Sequence, residues 1–262
     1  MKGRRKTGGR RLETPKHRGD AEDAAEWVRT RLDLAVDPLQ ARVLRTTNKR
    51  GILNCSRQWG KSTITAAKAI HQAYNTAESL TVVVSPCGRQ SGEFLRKATG
   101  FARKLGIRPK GDGDIEISLE LPNRSRIVGL PGTEATIRGF SAVSLLLVDE
   151  AARVSDELYM AIRPMLAVSG GTLWLMSTPM GKRGFFHEAW ANGGPEWERF
   201  EARATKCSRI KKEFLDEERA TMGERFFRQE YMCEFEDALS GLFSRDMVES
   251  AITNDVKPLI IR

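Results

Sequence analysis

Hydrophobic residues along this chain form short continuous runs that alternate with stretches of helical spacing. Short apolar runs are typical of strands covered on both faces, and a spacing of three to four residues is typical of amphipathic helices. The predicted strands are 51–55, 80–85, 143–149 and 172–177, and the helices predicted among them are about 61–74, 90–105 and 156–166. This alternation predicts an α/β fold with a mostly parallel sheet and helices on both faces.

Three further segments depart from this rhythm. Ahead of the first strand, two helices are predicted, one following Asp20 as a candidate N-cap and one following Asp37-Pro38. Strict alternation from Ile115 to Leu121, a turn, and then residues 124–130 predict a hairpin added antiparallel at the sheet edge. Beyond about residue 184 the pattern changes to aromatic and charged helices with one strand, 197–202. We therefore expect a core over 20–183, a small lid subdomain over 184–237, and a linker over 238–262.

Charge is concentrated at the start of the chain. The 262 residues carry a net charge of +9, of which residues 1–18 contribute +7. A basic, glycine-rich arm over 1–19 buries too little apolar surface to offset its ordering entropy, so we expect it to be disordered until it meets phosphate. A solubilising tail is the alternative.

Composition excludes several classes of protein. No run of about 18 apolar residues exists and the N-terminus lacks a secretory signal, which argues against membrane insertion and export. The four cysteines and three histidines are scattered, which argues against a structural zinc site. We expect an intracellular chain with reduced thiols.

The strongest local motif lies between the first predicted strand and the helix after it. It reads C-S-R-Q-W-G-K-S-T over residues 55–63, a G-K-S triplet without the usual first glycine. A loop of this kind cradles phosphates with its backbone N–H groups, its lysine reaches the β and γ oxygens, and its hydroxyl binds Mg²⁺. The predicted nucleotide ligands are Ser56, Arg57, Gln58, Trp59, Gly60, Lys61, Ser62 and Thr63.

A second motif ends the apolar run S-L-L-L-V with Asp149 and Glu150. The carboxyl edge of an open α/β sheet is where ligands bind. We predict that Asp149 holds Mg²⁺ together with Ser62, and that Glu150 orients and deprotonates the attacking water. A simple turn after the strand is the alternative.

Other candidates are less specific. Ser177 and Thr178 end the strand 172–177 and are predicted to sense the γ-phosphate and couple its loss to motion. Gln40 is predicted to pair with the adenine edge, unless it is a plain surface helix residue. Arg57 either reaches the γ-phosphate or pairs with a neighbouring acid. Arg138, in a glycine-bearing loop, is a candidate arginine finger or else a solvated loop residue.

Together these residues resemble the ATPase domain of the large subunit of tailed-bacteriophage terminase, over about residues 37–240. The carrying segments are D-P-L-Q at 37–40, S-R-Q-W-G-K-S at 56–62, S-P at 85–86, T-I-R-G-F at 136–140, L-L-L-V-D-E-A-A at 145–152 and M-S-T-P at 176–179. The missing first glycine and the arginine within the loop are both similar to this family.

The resemblance implies a RecA-like P-loop core of the additional-strand class, followed by a lid. It implies ATP as substrate, Mg²⁺ as cofactor, and ATP hydrolysis that drives double-stranded viral DNA into a procapsid. The implied partners are DNA, the portal protein and the small terminase subunit, in a homo-oligomeric ring, a pentamer on the portal, in the host cytoplasm and without a membrane. Arg57 corresponds to an in-loop sensor, Arg138 to a finger acting across a subunit boundary, and Thr178 to the coupling motif. The family normally continues into a nuclease, so nuclease activity is not expected from this chain.

Two other functions are compatible with the same residues. A helicase fragment would use the same loop and acidic pair, and a nucleic-acid-binding module would keep the fold without turnover. Candidate DNA contacts are the basic arm and four cationic residues after the last predicted strand, namely Lys206, Arg209, Lys211 and Lys212. The alternative is that these four residues form a solvated helix face.

Overall fold

The computed structural model describes residues 22–111, 113, 117–132, 139–236 and 250. Its strands are β1 (Arg50–Cys55), β2 (Leu80–Ser85), β3 (Ser118–Glu120), β4 (Arg126–Pro131), β5 (Leu145–Asp149), β6 (Thr172–Ser177) and β7 (Trp197–Ala202). Its α-helices are α1 (Ala24–Arg31), α2 (Pro38–Arg45), α3 (Lys61–Asn75), α4 (Gly88–Lys104), α5 (Asp156–Ile162), α6 (Gly184–Asn192), α7 (Lys212–Met222) and α8 (Glu224–Met232). Short 3₁₀ turns cover Ala151–Arg153, Arg163–Leu166 and Ala204–Lys206.

The seven strands form one sheet in the order β3-β4-β2-β5-β6-β1-β7. Every pairing is parallel except that of β3 with β4, which is antiparallel at the edge. The predicted α/β fold and edge hairpin are therefore confirmed. Strand β6 lies between β1 and β5, so one strand separates the two that carry the loop and the acidic pair. This is the additional-strand arrangement that we expected.

One predicted element lies elsewhere than expected. Strand β7, which we placed in the lid subdomain, pairs in parallel with β1 at the far edge of the central sheet. Helix α6 likewise packs Phe186 and Ala189 against the sheet's hydrophobic core. Alternation of buried residues along β7 identifies which face is buried but carries no information about which strand it pairs with. The boundaries of the core, 20–183, and of the lid subdomain, 184–237, stay a prediction.

Helix ends follow their capping residues. The Asp37 side chain accepts from the Gln40 backbone N–H, and the Gln40 side chain accepts from the Asp37 N–H, which is a complete capping box. Helix α1 is capped by Asp23, whose carboxylate accepts from the Ala25 N–H, and the predicted cap Asp20 lies outside the described residues.

Alternate residues of each strand face opposite layers of the core. Leu53, Leu147 and Trp174 pack toward α1–α4, whereas their neighbours in sequence pack toward α5 and α6. A Cβ atom on Gly51 would lie 2.4 Å from the Trp174 ring, so the close approach of this ring requires glycine there. Within the described part of the chain, no helix is both long and apolar enough to cross a bilayer.

Candidate active site

The loop 56–60 connects β1 to α3 at the carboxyl edge of the sheet. Gly60 has a φ of 98° at the start of the 15-residue helix α3, a conformation that glycine adopts at little cost. A cavity of about 390 Å³ opens over this helix N-terminus. Its lining includes most of the predicted loop residues, namely Ser56, Arg57, Gln58, Gly60, Lys61, Ser62 and Thr63. The Ser56 hydroxyl is buried without a hydrogen-bond partner among the described residues.

Lys61 and Glu150 form an ion pair on the cavity wall. Lys61 Nζ lies 2.7 Å from Glu150 Oε1, and the two side chains are only 12% and 19% exposed. Glu150 has a φ of 52°, the left-handed region that non-glycine residues seldom occupy and that recurs at functional sites. This arrangement holds both reactive side chains toward the cavity.

Ser62 and Asp149 meet beneath this pair. The Ser62 hydroxyl donates to Asp149 Oδ2 at 3.1 Å, and the Glu150 backbone N–H donates to Oδ1. Burial raises the pKa of Asp149, and the positive charge of Lys61 opposes this. A hydroxyl and a carboxylate are oxygen ligands suited to Mg²⁺, which is commonly held by one or two protein groups plus phosphates. The described residues contain no cluster of three or more His, Cys, Asp or Glu side chains able to hold a metal.

Arg57 does not extend freely into the cavity. Its Nε lies 2.5 Å from Glu230 Oε2 on α8, and this carboxylate raises the pKa of the guanidinium. Of the two possibilities raised by the sequence, this conformation has the second, pairing with a neighbouring acid.

Gln40 and Trp59 lie on a separate cavity of about 180 Å³ beside the loop. The Gln40 carboxamide is already engaged, because its oxygen accepts from the Asp37 N–H and its nitrogen donates to the Trp59 carbonyl. Gln40 is 6% exposed, so the alternative of a plain surface residue is wrong. Trp59 is buried and does not line the larger cavity.

The predicted coupling residues, Ser177 and Thr178, lie at or beside the larger cavity, whereas the predicted finger cannot be located. Thr178 lines the larger cavity, and the buried Ser177 hydroxyl donates to the Thr178 carbonyl at 2.7 Å. Arg138 lies outside the described residues.

One of the four cationic DNA-contact candidates is engaged within the chain. Arg209 donates to the Trp59 carbonyl at 2.6 Å and lies 3.5 Å from an Asp37 oxygen. Lys206, Lys211 and Lys212 are exposed.

Four residues of the site were missed from sequence: Gln90, Lys97, Arg153 and Glu230. Gln90 and Lys97 line the larger cavity from α4, seven positions apart on one face of the helix. Arg153 Nη1 lies 3.0 Å from Glu150 Oε2. Because side chains three residues apart can pair on a helical turn, the sequence spacing could have predicted this contact. Glu230 carries no local signal, because it reaches the loop only through tertiary packing.

Comparisons with known proteins agree with this geometry. The family described as "Terminase large subunit, T4likevirus-type, N-terminal" matches residues 52–250. The large terminase subunit of Thermus phage G20c is 25% identical over 241 residues, covering 79% of this chain and 50% of the relative, so the chain spans about half the length of the curated relatives that it matches.

Solved structures share the fold. The large terminase ATPase domain of Thermus phage P74-26 superposes with a TM-score of 0.73 at 21% identity, covering 82% of this chain and 100% of that domain. The large terminase of another thermophilic bacteriophage, in complex with ADP, superposes with a TM-score of 0.62 at 13% identity, covering 82% of this chain and 52% of that one. With its family match across most of the folded residues and its phosphate loop set against an acidic pair, the chain belongs to the N-terminal domain family of the terminase large subunit.

Proposed function

We propose that this chain binds ATP with Mg²⁺ in the 390 Å³ cavity and hydrolyses it to drive double-stranded DNA into a viral procapsid. One observation carries the proposal: Lys61, Ser62, Asp149 and Glu150 meet at the N-terminus of α3, at the edge of the sheet. Family membership favours this function over a helicase fragment.

Each side chain has a role that follows from its chemistry. The α3 N-terminus and Lys61 bind the phosphates, which requires Lys61 to exchange Glu150 for phosphate oxygens. Ser62 and Asp149 would hold Mg²⁺, which would supply neutralisation of the charge on the phosphates. Once Lys61 leaves Glu150 Oε1, that oxygen orients the attacking water and accepts its proton, while Oε2 stays on Arg153.

The remaining roles complete the motor. Arg138 of one subunit acts as a finger on the nucleotide of its neighbour in a ring, which we take to be a pentamer. Ser177 and Thr178 couple phosphate loss to movement of helices α7 and α8, the part of the predicted lid that has a core separate from that of the central sheet. DNA, the portal protein and the small terminase subunit are the partners, and the host cytoplasm is the site of action.

Nucleotide titration of Lys61→Ala tests the site. The matched control is Lys49→Ala, which removes an exposed lysine just before β1, at the opposite end of that strand. We expect Lys61→Ala to weaken ATP affinity by about 100-fold and Lys49→Ala to leave it within about twofold. Equal affinities for the two variants would refute the proposed site.

A further inference from the structure

Strand β2 ends in Ser85, a residue to which the proposed ATPase site has given no role. Ser85 is completely buried, and its Oγ has no hydrogen-bond partner among the described residues. A hydroxyl buried without a partner is unfavourable, and buried polar groups in native structures generally have one. The Ser85 hydroxyl is therefore available for a hydrogen bond that forms when a ligand binds.

The register of the sheet places Ser85 beside Asp149. Strand β2 pairs in parallel with β5, and Val84 lies opposite Val148. Ser85 and Asp149 directly follow these two valines. Both valines pack toward α5 and α6, and successive residues of a strand point to opposite faces of the sheet. Ser85 and Asp149 therefore share the face that carries the N-terminus of α3, on strands about 5 Å apart.

Asp149 is also the polar one of the two neighbours that Ser85 has across the sheet. On the β4 side the partner in the register is Pro131, whose ring neither donates nor accepts a hydrogen bond. The Asp149 carboxylate accepts from the Ser62 hydroxyl and the Glu150 backbone N–H, but not from Ser85. A hydrogen-bonded link between Ser85 and this carboxylate group therefore requires a water molecule between them.

A bound magnesium ion would supply such a water molecule. Mg²⁺ usually keeps several of its water ligands and is held by one or two protein groups together with phosphates. Here the protein groups would be Ser62 and Asp149, which leaves water and phosphate oxygens as the other ligands. Side chains that hydrogen-bond to the ligands of a metal orient these ligands and strengthen metal binding.

We propose that Ser85 is a positioning residue for the metal site, with its hydroxyl bonded to a water ligand of the Mg²⁺ that Ser62 and Asp149 hold. The inference rests on the proposed function and adds the end of β2 to the same site. Since Ser85 is buried beside Pro131, its hydroxyl gains this partner when the metal enters with the nucleotide. Nucleotide binding thereby depends more strongly on Mg²⁺ than Ser62 and Asp149 alone would make it.

Ser85→Ala tests the proposal, with Thr81→Val as the matched control. Thr81 lies on the same strand and the same face, and its hydroxyl is likewise buried without a partner among the described residues. Its neighbours across the sheet are Ile127 and Leu145, and it lies about 13 Å along the strand from Ser85. Each substitution therefore removes one buried hydroxyl, and the two differ in their distance from the metal ligands.

Calorimetry on the full chain measures the affinity for a non-hydrolysable ATP analogue, once with saturating Mg²⁺ and once in EDTA. The readout is the factor by which Mg²⁺ tightens binding of the analogue. The melting temperature of each variant is recorded without nucleotide. Because the Ser85 hydroxyl makes no bond in the unliganded chain, Ser85→Ala should melt no lower than the unsubstituted chain.

We expect Ser85→Ala to reduce the Mg²⁺ factor about fivefold, the loss of one hydrogen bond, and to leave the affinity in EDTA unchanged. Ser85→Thr keeps the hydroxyl and should retain most of the factor, and Thr81→Val should retain all of it. Equal factors in Ser85→Ala and the control would overturn the inference, as would a loss of affinity that is as large in EDTA as with Mg²⁺. An unsubstituted chain that does not bind the analogue, or binds it equally well in EDTA, would overturn the proposed function together with the inference.

Discussion

Lys68 gives the stability of the chain a distinctive pH dependence. It lies on α3, the helix that begins at the phosphate loop, with its ammonium 4.9 Å from the centre of the Trp174 ring. The ammonium donates to the carbonyl oxygens of Val43 and Thr46, both at 3.2 Å, at the end of α2. Burial lowers the pKa of Lys68 to about 8, and the Glu198 carboxylate opposes this only in part. The folded chain therefore gives up the Lys68 proton more readily than the unfolded chain does.

The sign and size of the effect follow from linkage. The pKa of Lys68 is about 8 in the folded chain and near 10.5 in the unfolded chain. Between these values the unfolded chain binds more protons, so the free energy of unfolding rises with pH. A difference of this size corresponds to about 3 kcal/mol in all, of which about 2 kcal/mol falls between pH 7.5 and 10.

Urea denaturation at a series of pH values measures this contribution against Lys68→Met. The variant loses hydrogen bonds to carbonyl oxygens at every pH, so its absolute stability is not the readout. The readout is the difference between the two chains, which should grow by about 2 kcal/mol in favour of the unsubstituted chain from pH 7.5 to pH 10. Parallel curves would refute the reasoning, because the other titrating groups are common to both proteins.

Three further substitutions test the core and the cavity. Asp149→Asn should raise stability by about 1 kcal/mol, because burial disfavours the charged carboxylate, and a lower melting temperature would contradict this. The same substitution should abolish Mg²⁺-dependent hydrolysis, because it removes the proposed carboxylate ligand. Gly51→Ala should destabilise the chain by about 1–3 kcal/mol, since the new methyl would lie 2.4 Å from the Trp174 ring, and an unchanged urea midpoint would show that the ring can move. Lys97→Ala should weaken ATP affinity about threefold to tenfold, because Lys97 lines the cavity and has no ion-pair partner among the described residues; calorimetry that finds equal affinity would remove Lys97 from the site.

Local sequence determined most of the sheet. Runs such as Leu145–Asp149 read as buried parallel strands because every side chain in them is apolar up to the final acid, and the structure buries all five residues. The partner of Trp197–Ala202 could not be read in this way. Its pairing with β1 depends on a contact between segments about 147 residues apart, which no periodicity encodes.

The residues of the site likewise differ in whether local sequence could predict them. Lys61, Ser62, Asp149 and Glu150 were predictable because they lie at or shortly after the ends of β1 and β5, which local sequence defines. Glu230 was not, since it reaches Arg57 from 173 positions away through the packing of α8. Gln40 shows an intermediate case, in which a local capping box fixed the side chain that we had expected to read the base.

We propose that this cavity hydrolyses ATP for a motor whose site is completed by a neighbouring subunit. The most direct measurement is Mg²⁺-dependent ATP hydrolysis over a series of protein concentrations, with and without double-stranded DNA, using Glu150→Gln as the blank. We expect turnover per subunit to rise with protein concentration and to vanish in the blank. Turnover indistinguishable from the blank at every concentration, with ATP still bound, would contradict it and favour a nucleotide-binding module without catalysis.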